Sequence, residues 1–107
     1  MFIIHEDNSM EIIRGDSGIF TVELTDSEDV PYEVQEGDQI IFTVKENTSS
    51  EDPLIQKRGQ VIEIEPEDTQ DLEYGKYVYD VQFIYESGFT DTIIPPSPFI
   101  VDEEVTF

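Results

Sequence analysis

Residues 67–85, EDTQDLEYGKYVYDVQFIY, hold the longest alternating pattern in the chain. Over residues 76–85, aromatic and aliphatic side chains fall at every second position, which is typical of a β-strand with one face in the core. The inward set is Tyr77, Tyr79, Val81, Phe83 and Tyr85, and the opposite set is Val78, Asp80, Gln82 and Ile84. We therefore expect the upstream strands to pair with this one and residues 89–94 to return as its hairpin.

A short helical segment precedes this strand. A proline and two acidic residues at positions 66–68 are typical of a helix N-terminus. Only a few residues separate them from the corner at Gly75, so the sequence predicts one or two helical turns over residues 66–72.

The residues around the corner follow a known spacing. Leu72, Gly75, Tyr77 and Tyr79 resemble the tyrosine corner of immunoglobulin and fibronectin type III domains. The resemblance implies that the Tyr77 hydroxyl bonds back to the backbone just upstream. It also implies that Tyr79 takes the inward position where antibody domains carry a cysteine, giving a core without a disulfide.

Short apolar or alternating runs between turn residues predict the other strands. They lie at residues 2–4, 10–14, 19–25, 39–46, 53–57, 60–65, 89–94, 97–101 and 105–107. Residues 95–96 are both proline and lack backbone N–H groups, so we expect them to exclude a central strand and the chain to cross an edge there. The pattern predicts an all-β fold, an immunoglobulin-like antiparallel sandwich of about seven to nine strands. A five-stranded barrel is the alternative.

The length and charge of the chain limit its organisation and its partners. A chain of 107 residues predicts one domain, here residues 10–107, with residues 1–9 as an N-terminal strand or arm. Its 26 acidic and five basic residues give a net charge of −21. This charge argues against nucleic acid or an anionic membrane as partner, since both require a cationic surface. A solvated acidic surface that favours solubility is the simplest interpretation; a basic partner or bound cations are the alternatives.

The sequence also bears on compartment and cross-links. It contains no cysteine, so a disulfide or a cysteine zinc site is impossible. No apolar run reaches the length of a bilayer, and the start, MFIIHEDNS, lacks the basic and apolar regions of a secretory signal. We expect a chain that is made in a cytoplasm and does not insert into a membrane.

The residue types that carry catalysis do not form a pattern here. His5 is the single histidine and lies in a polar turn, whereas nucleophilic catalysis requires a base beside the nucleophile. Glu63 and Glu65 are predicted on an outward strand face, away from a cleft. The sequence therefore predicts no enzyme, with no catalytic, cofactor-binding or metal residues. Calcium is the alternative, because acidic clusters lie at residues 26–29, 51–52, 67–68 and 102–104.

Six apolar residues are candidates for a protein interface. Ile41, Val78 and Ile84 are predicted to face outward from their strands, where a half-exposed sheet is usually polar. Ile41 interrupts the inward series of its strand, and a loop or a partner is expected to cover it. Phe2, Ile3 and Ile4 form an apolar terminal run that reads as an edge strand or as an arm onto a neighbouring subunit.

Several segments occur in the order of one recurrent phage module. They are IRGDS (13–17), F-x-V-x-L (20–24), GD-x-I-x-FTV (37–44), I-x-PEDT (64–69), G-x-Y-x-YDVQ (75–82), TII (92–94), F-x-V (99–101) and VT (105–106). Over residues 10–106 this order resembles the immunoglobulin-like domain at the N-terminus of upper baseplate proteins. It is also similar to small tail-associated proteins of phages and prophages in Gram-positive bacteria.

The resemblance implies a non-enzymatic structural or protein-interaction module of a phage or prophage tail or baseplate. Such a chain is made in the bacterial cytoplasm and assembled into the virion, with other tail proteins or copies of itself as partners. The baseplate protein continues into receptor-facing parts and this sequence ends with the domain, so a structural or adaptor role is expected rather than receptor binding. The alternative is a β-sandwich module that binds carbohydrate or cell wall. Such modules display exposed aromatics, whereas the tyrosines here are predicted to face inward.

Overall fold

The computed structural model describes residues 1–25 and 28–103. Its elements are β1 (Phe2–Ile4), β2 (Met10–Ile13), β3 (Gly18–Thr21), β4 (Gln39–Lys45), β5 (Ile55–Arg58), β6 (Val61–Ile64), α1 (Pro66–Thr69), β7 (Gly75–Ile84) and β8 (Thr90–Asp102). The third strand is shorter than predicted, although its alternation of burial continues through Val22 and Leu24. The strand predicted at residues 105–107 lies outside the described residues.

The strands form two facing layers. A six-stranded sheet has the order β1-β2-β8-β7-β4-β5, and a two-stranded sheet pairs β3 with β6. The buried side chains between the layers form one apolar core, and its largest members are Tyr79, Phe42, Phe83, Phe99, Met10 and Ile12. The prediction of an all-β, sandwich-like fold with one short helical turn is therefore confirmed.

The strand order resembles that of an immunoglobulin-like sandwich. The run β8-β7-β4-β5 has the order G-F-C-C′, and the facing pair β3-β6 has the place of strands B and E. Phe42 on β4 stands where antibody domains carry a buried tryptophan, and its ring centroid lies 5.6 Å from that of Tyr79. One pairing departs from the expected antiparallel sandwich, because β2 runs parallel to β8 and the large sheet is mixed.

The prediction that residues 95–96 exclude a central strand is wrong for β8 as a whole, although the prolines do lie in a part of it that has an exposed edge, as predicted. β8 runs without interruption from Thr90 to Asp102 and lies between β2 and β7. Its register against β7 slips between Tyr79 and Val81, so the two prolines oppose Asp80 in a bulge, where no ladder N–H is required. β2 pairs only with the last four residues of β8, so among the described strands the proline-bearing half has a neighbour on one side only.

Candidate functional site

The tyrosine corner has the geometry expected of it. The Tyr77 hydroxyl donates a hydrogen bond to the backbone carbonyl of Glu73 at 2.7 Å, four residues upstream. Gly75 has φ of 145°, which a side chain would strain, while a Cβ there would meet no neighbouring atom. Leu72 is half-buried against the core. These residues fix the start of β7.

Tyr79 joins the core to the opposite end of the chain. Its side chain is 2% exposed, and its hydroxyl donates to the backbone carbonyl of Asn8, in the turn between β1 and β2. Burial, with a smaller contribution from the charge of Asp7, raises the pKa of Tyr79 to about 12. The sequence pattern gives no sign of this bond, because its partners are 71 residues apart. With Tyr79 enclosed, the residue does not serve as a surface platform for a ligand.

The three outward-facing candidates share one face of the large sheet, but they are covered to different degrees. Ile41 lies between Arg58 on β5 and Gln82 on β7 and is only 8% exposed. The expected cover of Ile41 is thus supplied by its own sheet, and little of it remains for a partner. Val78 and Ile84 are half-buried on the same face.

The bulge places a half-buried carboxylate on this face. Asp80 lines a small pocket of about 80 Å³ with Thr43, Lys45, Thr48 and Pro96. Burial raises the pKa of Asp80, and the nearby charge of Lys45 acts in the opposite direction. The pocket is well below the ~300–1,000 Å³ typical of small-molecule sites. Sequence alternation placed Asp80 outward correctly but gave no sign of the bulge that encloses it.

The N-terminal candidates form the edge strand β1. Phe2 turns inward, and its ring stacks on Phe20 with centroids 6.1 Å apart. Ile3 and Ile4 are 37% and 44% exposed. In the order of the large sheet, β1 stands three strands from β7. The structure therefore separates the six predicted interface residues into an edge group on β1 and a face group on β7 and β4, which are roughly 14 Å and 19 Å from β1 across the sheet.

Within the described residues, the backbone of β1 is paired on one side only. The Ile13 N–H donates to the Met1 carbonyl at 3.0 Å, and the His5 N–H donates to the Ser9 carbonyl at 2.8 Å. Because antiparallel ladders bond at alternate residues, the peptide groups of Phe2 and Ile4 point away from β2. These groups are the free edge of the large sheet at β1.

Among the described strands, β5 forms the other free edge of this sheet, and its side chains differ in chemistry from those of β1. Lys57 Nζ lies 3.0 Å from a carboxylate oxygen of Asp68 on α1, and Arg58 donates to the Gln39 side chain at 3.0 Å. Charged side chains on an edge strand are a common protection against pairing with other chains. β1 itself contains only phenylalanine and isoleucine.

His5 Nε2 lies 2.5 Å from a carboxylate oxygen of Glu11 on the surface. Among the described residues, no group of three or more acidic or histidine side chains is placed to hold a metal ion. Asp26 and Glu104, members of two acidic clusters considered for calcium, lie outside the described residues. No helix in the described part of the chain is long and apolar enough to cross a membrane.

Comparison with known proteins adds no relative. No protein-family model matches the chain, and no curated protein is significantly similar to it.

Proposed function

We propose that this chain is a non-enzymatic structural or protein-interaction module of a phage or prophage tail or baseplate. Its partners are other tail proteins or further copies of itself, and assembly into the virion follows synthesis in the bacterial cytoplasm. The proposal extends the resemblance carried by the ordered segments of residues 10–106.

The apolar edge strand is the observation that supports an interaction role most strongly. Ile3 and Ile4 expose aliphatic side chains at the end of a sheet whose last backbone groups have no ladder partner among the described residues. An uncovered apolar edge is a template for pairing with another chain. In a chain with 26 acidic residues, three consecutive apolar residues at an edge favour a contact with another protein.

The proposal is tested in the bacterium that encodes the chain. After induction of the prophage, an epitope-tagged chain should sediment with tail particles that are recognisable by negative-stain electron microscopy. Recovery of intact tails without the chain, which remains at the top of the gradient, would contradict the proposal.

Variants then assign the contact to a surface. Ile84→Glu places a charge on the outer face of the large sheet and should release the chain from tails if that face is used. Val61→Glu, on the exposed face of β6, is the matched control and should leave sedimentation unchanged. Normal sedimentation of Ile84→Glu would remove the outer face from the contact.

A further inference from the structure

We propose that the free edge of β1 binds a basic, strand-forming segment of a partner protein by β-strand addition. This rests on the proposed interaction function and names the surface and the chemistry of the partner. The partner segment extends the six-stranded sheet by one strand beside Phe2–Ile4.

The hydrogen-bonding groups for this addition are in place. Phe2 and Ile4 each direct one N–H and one carbonyl away from β2, because Met1, Ile3 and His5 use the inner side of the ladder. A partner strand that donates to these carbonyls and accepts from these N–H groups completes the ladder. Main-chain bonding of this kind supplies affinity in many peptide complexes.

An apolar groove lies beside this edge and gives the partner's side chains a place to pack. It has a volume of about 170 Å³ and runs between the two sheets. Ile4, Phe20, Ile93 and Ile94 line it, and Met10 lies buried at its base. In an added strand, every second side chain points to this inner face. The groove therefore selects a segment with apolar residues at alternate positions.

The acidic residues around the groove determine which charge the partner segment should carry. Glu23 lines the groove itself, and Glu6 and Asp7 follow directly after β1. Hydrogen bonds from the Ser9 hydroxyl and backbone lower the pKa of Asp7, so it is a carboxylate at neutral pH. These acids favour a partner segment that carries lysine or arginine. They also disfavour a second copy of this chain, which carries a net charge of −21.

The other exposed edges of the large sheet carry protection that β1 lacks. β5 holds Lys57 and Arg58, which repel a basic strand. The half of β8 without a neighbour holds Pro95 and Pro96, which offer no N–H groups. A basic strand is therefore expected to add at β1 rather than at β5 or at the proline-bearing half of β8.

The test uses a short fluorescent peptide of alternating lysine and valine, titrated with the whole chain and followed by fluorescence polarisation. Ile4→Pro removes an edge N–H but leaves the bonds of Ile3 and His5 to β2 intact, so it should weaken binding about tenfold. Gln56→Pro makes the same change at the β5 edge, where Gly59 bonds to Ile40 and the Gln56 N–H points outward, and should not alter binding. Circular dichroism and thermal unfolding establish that each variant is folded.

Peptides with methylated backbone nitrogens test the same point on the unmodified chain. Methylation at the valines should abolish binding and methylation at the lysines should preserve it, because an antiparallel partner bonds to β1 through residues whose side chains face the groove. The charge of the two peptides is equal. Equal binding of both would show simple charge attraction and overturn the proposal, as would unchanged binding by Ile4→Pro.

Two further results bear on which segment binds at the β1 edge. A peptide with glutamate in place of lysine should not bind, and equal binding would contradict a basic partner. A dimer of the chain that Ile4→Pro dissociates would assign the edge to a second copy instead.

Sedimentation distinguishes the edge proposal from the tail function: tails that retain the Ile4→Pro chain would refute use of this edge while leaving the tail function standing. Tails without the wild-type chain would refute the tail function.

Discussion

The two ends of the large sheet, β1 and β5, solve the same physical problem in different ways. Each presents backbone groups that no other described strand pairs with. On β5, Lys57 is ion-paired to Asp68, and Arg58 is held by Gln39. On β1, the side chains are apolar, and the anchors lie inside the molecule, where Phe2 packs on Phe20.

The difference indicates where association is prevented and where it is permitted. The basic side chains of this edge are held by Asp68 and Gln39 of the same chain and discourage foreign strands. The apolar edge has no such protection and lies beside a groove with an acidic rim. We infer that β5 ends the sheet and that β1 leaves it open to extension.

The largest expected effect comes from removing the inward anchor of each edge. Ile55 is buried on β5 and Phe2 is half-buried on β1. Ile55→Ala should lower the free energy of unfolding by about 3 kcal/mol. Phe2→Ala should lower it by about 2 kcal/mol, because the Phe2 side chain is already partly exposed. Urea unfolding measures both, with Gln56→Ala as an exposed control near zero. A larger loss for Phe2→Ala than for Ile55→Ala would mean that β1 is anchored more strongly than β5, contrary to this account.

The attachment of the β1–β2 turn should depend on pH through Tyr79. Its pKa of about 12 in the folded chain exceeds the value of about 10 for an unfolded tyrosine. The unfolded state thus loses the proton first, so this stabilisation is complete below about pH 10 and is lost as the pH rises through 12. The loss is on the order of 2 kcal/mol.

Tyr79→Phe isolates this contribution. The substitution should lower the free energy of unfolding by about 1–2 kcal/mol at neutral pH, because the hydrogen bond to Asn8 is lost. Above about pH 10, the stability of the variant should fall less steeply than that of the unmodified chain. The comparison is made by urea unfolding at a series of pH values. Identical slopes for the two chains would contradict the assignment to Tyr79.

The contact between β3 and the β1 anchor predicts a coupled pair. A Cβ added at Gly18 would lie 2.7 Å from the Phe2 ring, so Gly18→Ala should cost about 1 kcal/mol. In the Phe2→Ala background the same substitution should cost almost nothing. A double-mutant cycle measures the coupling, and additive effects would mean that the ring does not rest on Gly18.

The smallest effect is expected at β5. Lys57→Met removes the ion pair with Asp68, whose partners are both partly exposed to solvent. The loss should be about 0.5 kcal/mol at low salt and less at high salt, as for other pairs near the surface. In the Lys57→Met background, Asp68→Asn should then cause little further loss of stability through this ion pair. A loss of several kcal/mol would mean that the β5 edge is held by charge rather than by Ile55.

Local periodicity accounts for what the sequence predicted well. The alternation in β7 placed Tyr79, Val81 and Phe83 in the core, and the corner spacing anticipated the bond from Tyr77 to Glu73. These features depend on neighbours within a few residues, so the pattern contains the necessary information.

The features that were missed depend on distant parts of the chain. The parallel pairing of β2 with β8 and the bond from Tyr79 to Asn8 join residues far apart in sequence. The proline pair was misjudged because a bulge removes the need for its N–H groups, and the bulge is set by the register against β7. Sequence alternation likewise marked Ile41 as outward but could not show that Arg58 and Gln82 would flank it.

Amide hydrogen exchange, resolved by residue, tests the contrast between the edges most directly. In the chain alone, the outward N–H groups of Phe2, Ile4 and Gln56 should exchange rapidly, while those of Ile3 and Lys57 are protected by their ladders. Addition of the lysine–valine peptide should slow exchange at Phe2 and Ile4 and leave Gln56 unchanged. Equal slowing at Gln56, or no change at Phe2 and Ile4, would contradict the account that β1 is the open edge of this sheet.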